Sequence, residues 1–95
     1  MNRVTFSPAA ISDLNDIWDY TATEWGPDQA DRYTDDIQDT CCSLARGEKR
    51  GRTVDVRDGY IKYAVGRHFV FFRTNGAEIV VIRILHQSMD VARHL

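Results

Sequence analysis

The sequence predicts a two-layer α+β domain: a helix hairpin laid on an antiparallel sheet. Three features carry that expectation. Two stretches with apolar residues at helical spacing meet at Gly26-Pro27. The second half holds β-branched and aromatic runs at 60–65, 68–74 and 77–85, divided by Gly66-Arg67 and Asn75-Gly76. The elements are also grouped, with one strand, two helices, a long loop and then three strands. Grouping of that kind argues against the alternation of a parallel sheet.

Residues 2–6 alternate and read as a short strand. Ser7 can cap the first helix, and Pro8 suits its first position. Ile11, Leu14, Ile17, Trp18, Ala22 and Trp25 make its apolar side, while Asp13, Asp16 and Asp19 face water. The second helix opens at Pro27, buries Ala30, Tyr33, Ile37, Cys41 and Leu44, and stops at Gly47 beside Arg46. So short a junction makes the two helices antiparallel. Residues 47–59 read as a polar, glycine-punctuated loop with an extended piece at 53–56, and a short helix over 89–95 closes the chain.

Asn75-Gly76 reads as a type I′ turn. That register sets Arg73 opposite Glu78, Phe71 opposite Val80, Phe69 opposite Ile82 and Phe72 opposite Ile79. The helix side of the sheet is then Phe69, Phe71, Val80, Ile82 and Ile84, meeting Leu14, Ile17, Trp18, Trp25, Tyr33, Ile37 and Leu44 in the core. Val70, Phe72, Ile79 and Val81, with Tyr63, His68 and Arg83, fall on the far side. An apolar far side is more than a half-wet antiparallel sheet needs, and it suggests a surface covered by a partner.

The chain has 95 residues, enough for one domain with a modest core, here spanning 1–95. A net charge of −2 excludes a strongly basic nucleic-acid binder. The balance hides an asymmetry. Acids such as Asp16, Asp28, Asp35 and Asp39 crowd the first half, and bases from Arg46 to Arg93 crowd the second. No segment reads as a leader or a membrane span. The two adjacent cysteines, Cys41 and Cys42, are poorly placed to bridge each other, and a reducing cytoplasmic location is expected.

Little in the chain promises chemistry of its own. His68, His86 and His94 lack the spacing of a zinc site, so no metal or cofactor is expected. The cysteines have no nearby histidine, and the glycines make no phosphate loop. Metal-free RNA cleavage is the enzymatic option, with His86 as acid or base and Arg83 as a phosphate clamp.

From Val4 to Leu95 the chain resembles the ParE toxins of the RelE/ParE superfamily. The resemblance is carried by Ser7-Pro8-Ala9-Ala10 with Asp13-Leu14, Ile17 and Tyr20, and by Ala30, Tyr33 and Ile37. It continues through Gly66-Arg67-His68 and the closing Ile82-Arg83-Ile84-Leu85-His86-Gln87-Ser88-Met89-Asp90, ending in His94-Leu95. It implies a bacterial toxin of a type II toxin–antitoxin pair, of the kind tied to plasmid stabilisation. Such a toxin arrests growth by inhibiting DNA gyrase, without touching DNA or membrane directly. A ParD-like ribbon-helix-helix antitoxin neutralises it in at least a heterotetramer. The apolar far side assigns Tyr63, Val70, Phe72, Val81 and Arg83 to the antitoxin, and Tyr20 joins them as an outward aromatic of the helix hairpin. Target contact is assigned to Arg67, His86, Met89 and Arg93. RelE-type relatives instead cut mRNA on the ribosome with strand lysines and an arginine, and with a tyrosine or histidine near the C-terminus, a place that His86 could fill. Aligned on Gly66, the strand positions fall near Gly59, Ile61 and His68, so that set is unmatched. Two alternatives stand beside gyrase inhibition: a ribosome-dependent mRNA endonuclease, and a degenerate toxin that only binds its antitoxin and regulates its operon.

Overall fold

The computed structural model describes residues 3–55 and 57–95. Asn2 and Val56, the outer ends of two expected extended pieces, lie outside the described residues. The elements are β1 (Arg3–Phe6), α1 (Pro8–Trp25), α2 (Pro27–Ala45), β2 (Arg52–Thr53), β3 (Ile61–Val65), β4 (His68–Asn75) and β5 (Glu78–His86). A single 3-10 turn at Val91–Arg93 stands where a short closing helix was expected. The sheet runs β1-β5-β4-β3-β2. It is mixed, because β1 lies parallel to β5 while the other pairs are antiparallel.

Ser7 makes the corner between sheet and helix. Its Oγ accepts from the Ala10 amide at 3.0 Å and donates to the Ile82 carbonyl at 2.6 Å. One hydroxyl thus caps α1 and ties its start to β5. Gly26 turns the chain between the helices at φ 95°, a conformation that suits glycine.

The core reverses the expected faces of the sheet, Ile84 excepted, which lies on the helix side as expected. Val70, Phe72, Ile79, Val81 and Ile84 pack in one cluster with Ile17, Ile37, Cys41 and Leu44. Val70 and Val81 are 0% exposed and Phe72 is 4% exposed. These three lie beneath the helices, so they are withdrawn from any docking surface of the folded chain. Tyr63 packs partly buried against the same cluster. Phe69, Phe71, Val80 and Ile82 take the far side. Phe71 is nevertheless fully buried, with the Phe69 ring edge-on at 6.1 Å and the Lys62 ammonium over Phe69 at 4.6 Å. That side is largely closed within the chain, without the open apolar patch expected of it. Trp25, placed in the expected core, is 75% exposed at the hairpin tip.

The register differs too. Asn75 pairs with Glu78, Arg73 with Val80 and Phe72 with Val81. In this turn Gly76 takes positive φ, at 63°, and among the described residues no non-glycine residue does, so Asn75 cannot fill the I′ position and that reading fails. The two-residue turn is Gly76-Ala77, with glycine first as in a II′ turn. A bulge between Phe71 and Phe72 then leaves Ile82 unpaired and brings Arg83 opposite Phe71.

Candidate functional site

One end of the sheet gathers polar groups from four parts of the chain. The two-residue turn Gly66-Arg67 joins β3 to β4, and His68 pairs across the ladder with His86. Tyr33 reaches this end from α2. Its hydroxyl lies 2.6 Å from His68 Nδ1 and 3.2 Å from the Val65 carbonyl, and it accepts the Arg67 amide at 3.1 Å. The imidazoles of His68 and His86 meet edge to face, centroids 5.2 Å apart. His86 Nδ1 accepts the Ser88 amide at 3.1 Å, with Ser88 Oγ at 2.7 Å. Gln87 clamps the turn: its amide donates to the Arg67 carbonyl at 2.9 Å and its Nε2 to the Gly66 carbonyl at 3.2 Å.

Burial first, and His86 second, push His68 down from its ordinary value to about 4. His68 is therefore uncharged at neutral pH. Burial also raises the Tyr33 phenol. The sign for stability follows from the folded value lying below the unfolded one. The contribution of His68 is full above about pH 6.5 and is lost as pH falls toward 4. Discounted for solvent screening, the loss should be on the order of 1–2 kcal/mol. Urea midpoints at pH 7.5 and 4.5 check it, since the extra acid sensitivity should vanish in His68→Gln.

Gly66 is held by the same contacts. Its φ is 55°, and a Cβ there would stand 2.6 Å from Tyr33 Cε1 and 2.7 Å from its hydroxyl oxygen. Gly66→Ala should cost about 2–3 kcal/mol, through left-handed strain and a displaced ring. Denaturant unfolding reads this directly, and a loss under about 0.5 kcal/mol would mean the turn has room to spare.

A second polar cluster lies along β5. Arg83 Nε and Nη2 donate to the Asp13 carboxylate at 2.8 and 2.9 Å, and the Ile84 amide donates to it at 2.9 Å. The Asp13 side chain is 12% exposed, against the expectation that it faces water. Arg83 also donates to the His94 carbonyl at 3.4 Å, and Arg57 donates to that of Leu95. These bonds hold the C-terminal turn. Arg83 is so engaged that it is not a free phosphate clamp.

Target contact was expected of Arg67, His86, Met89 and Arg93. Arg67, His86 and Met89 come together at the sheet end, linked through Gln87 and by the Met89 amide on the His86 carbonyl. Arg93 is exposed a few residues on, in the 3-10 turn. Of the antitoxin set only Tyr20, 67% exposed on α1, stands open. Tyr33 was read as core alone. A tyrosine on an apolar helix face carries a hydroxyl that needs a partner, and that signal pointed to the sheet end. Among the described residues no group of three or more His, Cys, Asp or Glu could hold a metal.

Residues 4–91 match the family model described as ParE toxin of type II toxin-antitoxin system, parDE. Toxin ParE1 of Mycobacterium tuberculosis (strain CDC 1551 / Oshkosh) is 43% identical over 96 residues, covering 99% of this chain and 98% of that protein. Toxin ParE1 of Caulobacter vibrioides is 38% identical, covering 100% and 99%. A solved structure of the chromosomal ParDE TA system from P. aeruginosa superposes with a TM-score of 0.78. It is 24% identical and covers 90% of this chain and 96% of that one.

Proposed function

The chain belongs to the ParE toxin family of type II toxin–antitoxin systems, and from that membership we propose that it arrests growth by binding DNA gyrase and is neutralised by a ParD-like antitoxin. The state of the cations carries the choice of binding over RNA cleavage. Stabilising a pentacoordinate phosphorus needs free positive charge beside an acid and a base. At the sheet end Arg83 is engaged by Asp13 and His68 is neutral, which leaves Arg67 as the exposed cation beside His86, and on the family resemblance the strand-lysine positions of RelE-type enzymes fall near Gly59 and Ile61. What remains is a contact surface of Arg67, His86 and Met89, with Arg93 nearby. Purified chain should block gyrase supercoiling and leave translated mRNA intact. Codon-specific cuts that vanish in a folded His86→Ala variant would favour the endonuclease instead.

The solved ParDE neighbour supports an antitoxin partner by its name and its fold. With Val70, Phe72 and Val81 buried, the antitoxin is left the helix hairpin around Tyr20 and the basic margins of the sheet. A tail that folds as it docks suits such a divided surface. One toxin per antitoxin chain on an antitoxin dimer gives at least a heterotetramer, and DNA contact falls to the antitoxin. Lys62 and Arg67 would steer an acidic tail. Reversing both charges should slow association about tenfold and flatten its salt dependence, while Tyr20→Asp should chiefly speed dissociation. Stopped-flow mixing at two salt concentrations separates these effects.

A further inference from the structure

We infer that Tyr33, His68 and His86 form a proton-linked latch, in which Tyr33 is the positioning residue of the target-contact surface and is engaged while both imidazoles are neutral. The link to the target rests on the reading of that surface given above. The latch itself rests on geometry.

A tyrosine hydroxyl has one proton to give. At Tyr33 the Arg67 amide already donates into the oxygen, so that proton goes to His68 Nδ1 at 2.6 Å or to the Val65 carbonyl at 3.2 Å. Hydroxyl donors make bonds of about 2.7 Å, and N–H donors bonds nearer 2.9 Å. The shorter contact therefore assigns the proton to His68, with Nδ1 as acceptor and hydrogen on Nε2. His86 is fixed the same way, because a backbone amide, Ser88, can only donate to its Nδ1. Both rings thus hold their places as acceptors.

Protonation reverses each contact. An imidazolium at His68 presents N–H to a hydroxyl proton, which must swing toward Val65. An imidazolium at His86 loses the Ser88 amide as a partner and keeps only the Ser88 hydroxyl, at 2.7 Å, as an acceptor for its Nδ1–H. Two imidazolium rings at 5.2 Å would also repel each other. The charges facing this cluster come from each neighbouring element. Asp36 on α2 and Arg67 in the turn act on Tyr33, and His86 on β5 acts on His68. Asp13 on α1 also acts on His68, but it is already paired with Arg83. No free carboxylate among them is placed to hold a protonated His68. Because Gln87 bridges the turn to the end of β5, Gly66, Arg67 and residues 87–89 should shift together when the latch opens.

Histidine-labelled full-length chain, titrated by NMR from pH 8 to 4, tests the latch without reference to any target. At pH 7 His68 should be the Nε2–H tautomer. The amides of Gly66, Arg67 and Gln87 should follow the His68 midpoint. In Tyr33→Phe that midpoint should rise by about one pH unit, the hydrogen bond to the neutral ring being gone, and the His68 tautomer should become mixed. Gyrase inhibition at pH 7 should fall about tenfold in the same variant, with antitoxin affinity held within about twofold. An Nδ1–H tautomer at His68 in the native chain overturns the latch, and needs no variant to fold. So does an unchanged His68 titration in Tyr33→Phe. A chain with the expected tautomer and titration that never inhibits gyrase supports the latch and refutes the target reading alone.

Discussion

Phe72→Asp should leave no folded chain. The ring is 4% exposed and packed between sheet and helices, in one cluster with Val70, Ile79 and Val81. Aspartate there removes a large apolar contact and buries a carboxylate among apolar side chains. Together these should exceed about 5 kcal/mol, comparable to the whole stability of a domain this size, roughly 5–15 kcal/mol. Far-UV circular dichroism and amide dispersion should report an unfolded or insoluble product. Arg73→Asp, on the same strand but exposed, should stay within about 0.5 kcal/mol of the native chain. If Phe72→Asp stays folded and merely releases the antitoxin faster, the ring is a contact residue and the packing described above is wrong.

Truncation would not have told the two faces apart. Phe71→Ala should also cost several kcal/mol, about 3–5, although Phe71 sits on the side away from the helices, because it is 0% exposed.

Much of the fold was legible. Ser7-Pro8, Gly26-Pro27 and Gly66-Arg67 mark boundaries through backbone chemistry, and the structure places them where that chemistry requires. The sheet's inner face was not legible, for a physical reason. Period-two alternation divides β4 and β5 into two sets but does not say which set meets the helices, and here both sets are apolar. The turn error did no harm to that division. Moving the turn from Asn75-Gly76 to Gly76-Ala77 shifts each partner by two residues, which preserves its side. The bulge breaks the division, since one unpaired residue at Ile82 parts Ile84, which stays on the expected helix side, from Val80 and Ile82, and sends Leu85 to the far side. No residue type in that run announces a bulge. At the candidate site Arg67, His86 and Met89, expected at the target, come together through the β3–β4 turn and the end of β5. The tether from Tyr33 was missed because it spans 35 residues to His68.

Asp13→Ala should cost about 2–4 kcal/mol, more than any exposed ion pair would. Three donors converge on this carboxylate, two from Arg83 and one from the Ile84 amide. β1 pairs with β5 only as far as Val81, so the Ile84 amide lies beyond the ladder and Asp13 takes the place of a strand. Removing the carboxylate orphans that amide. It also leaves a guanidinium, its side chain 24% exposed, without its counter-charge. Arg83→Ala should cost less, because Asp13 keeps the Ile84 amide. The double variant should be more stable than the sum of the two losses, with a coupling of about 1–3 kcal/mol. Urea unfolding of the four chains measures that coupling. A value near zero would show that the pair behaves as a solvated surface contact. Arg83 would then be free to meet an anion, and the phosphate clamp set aside above would return.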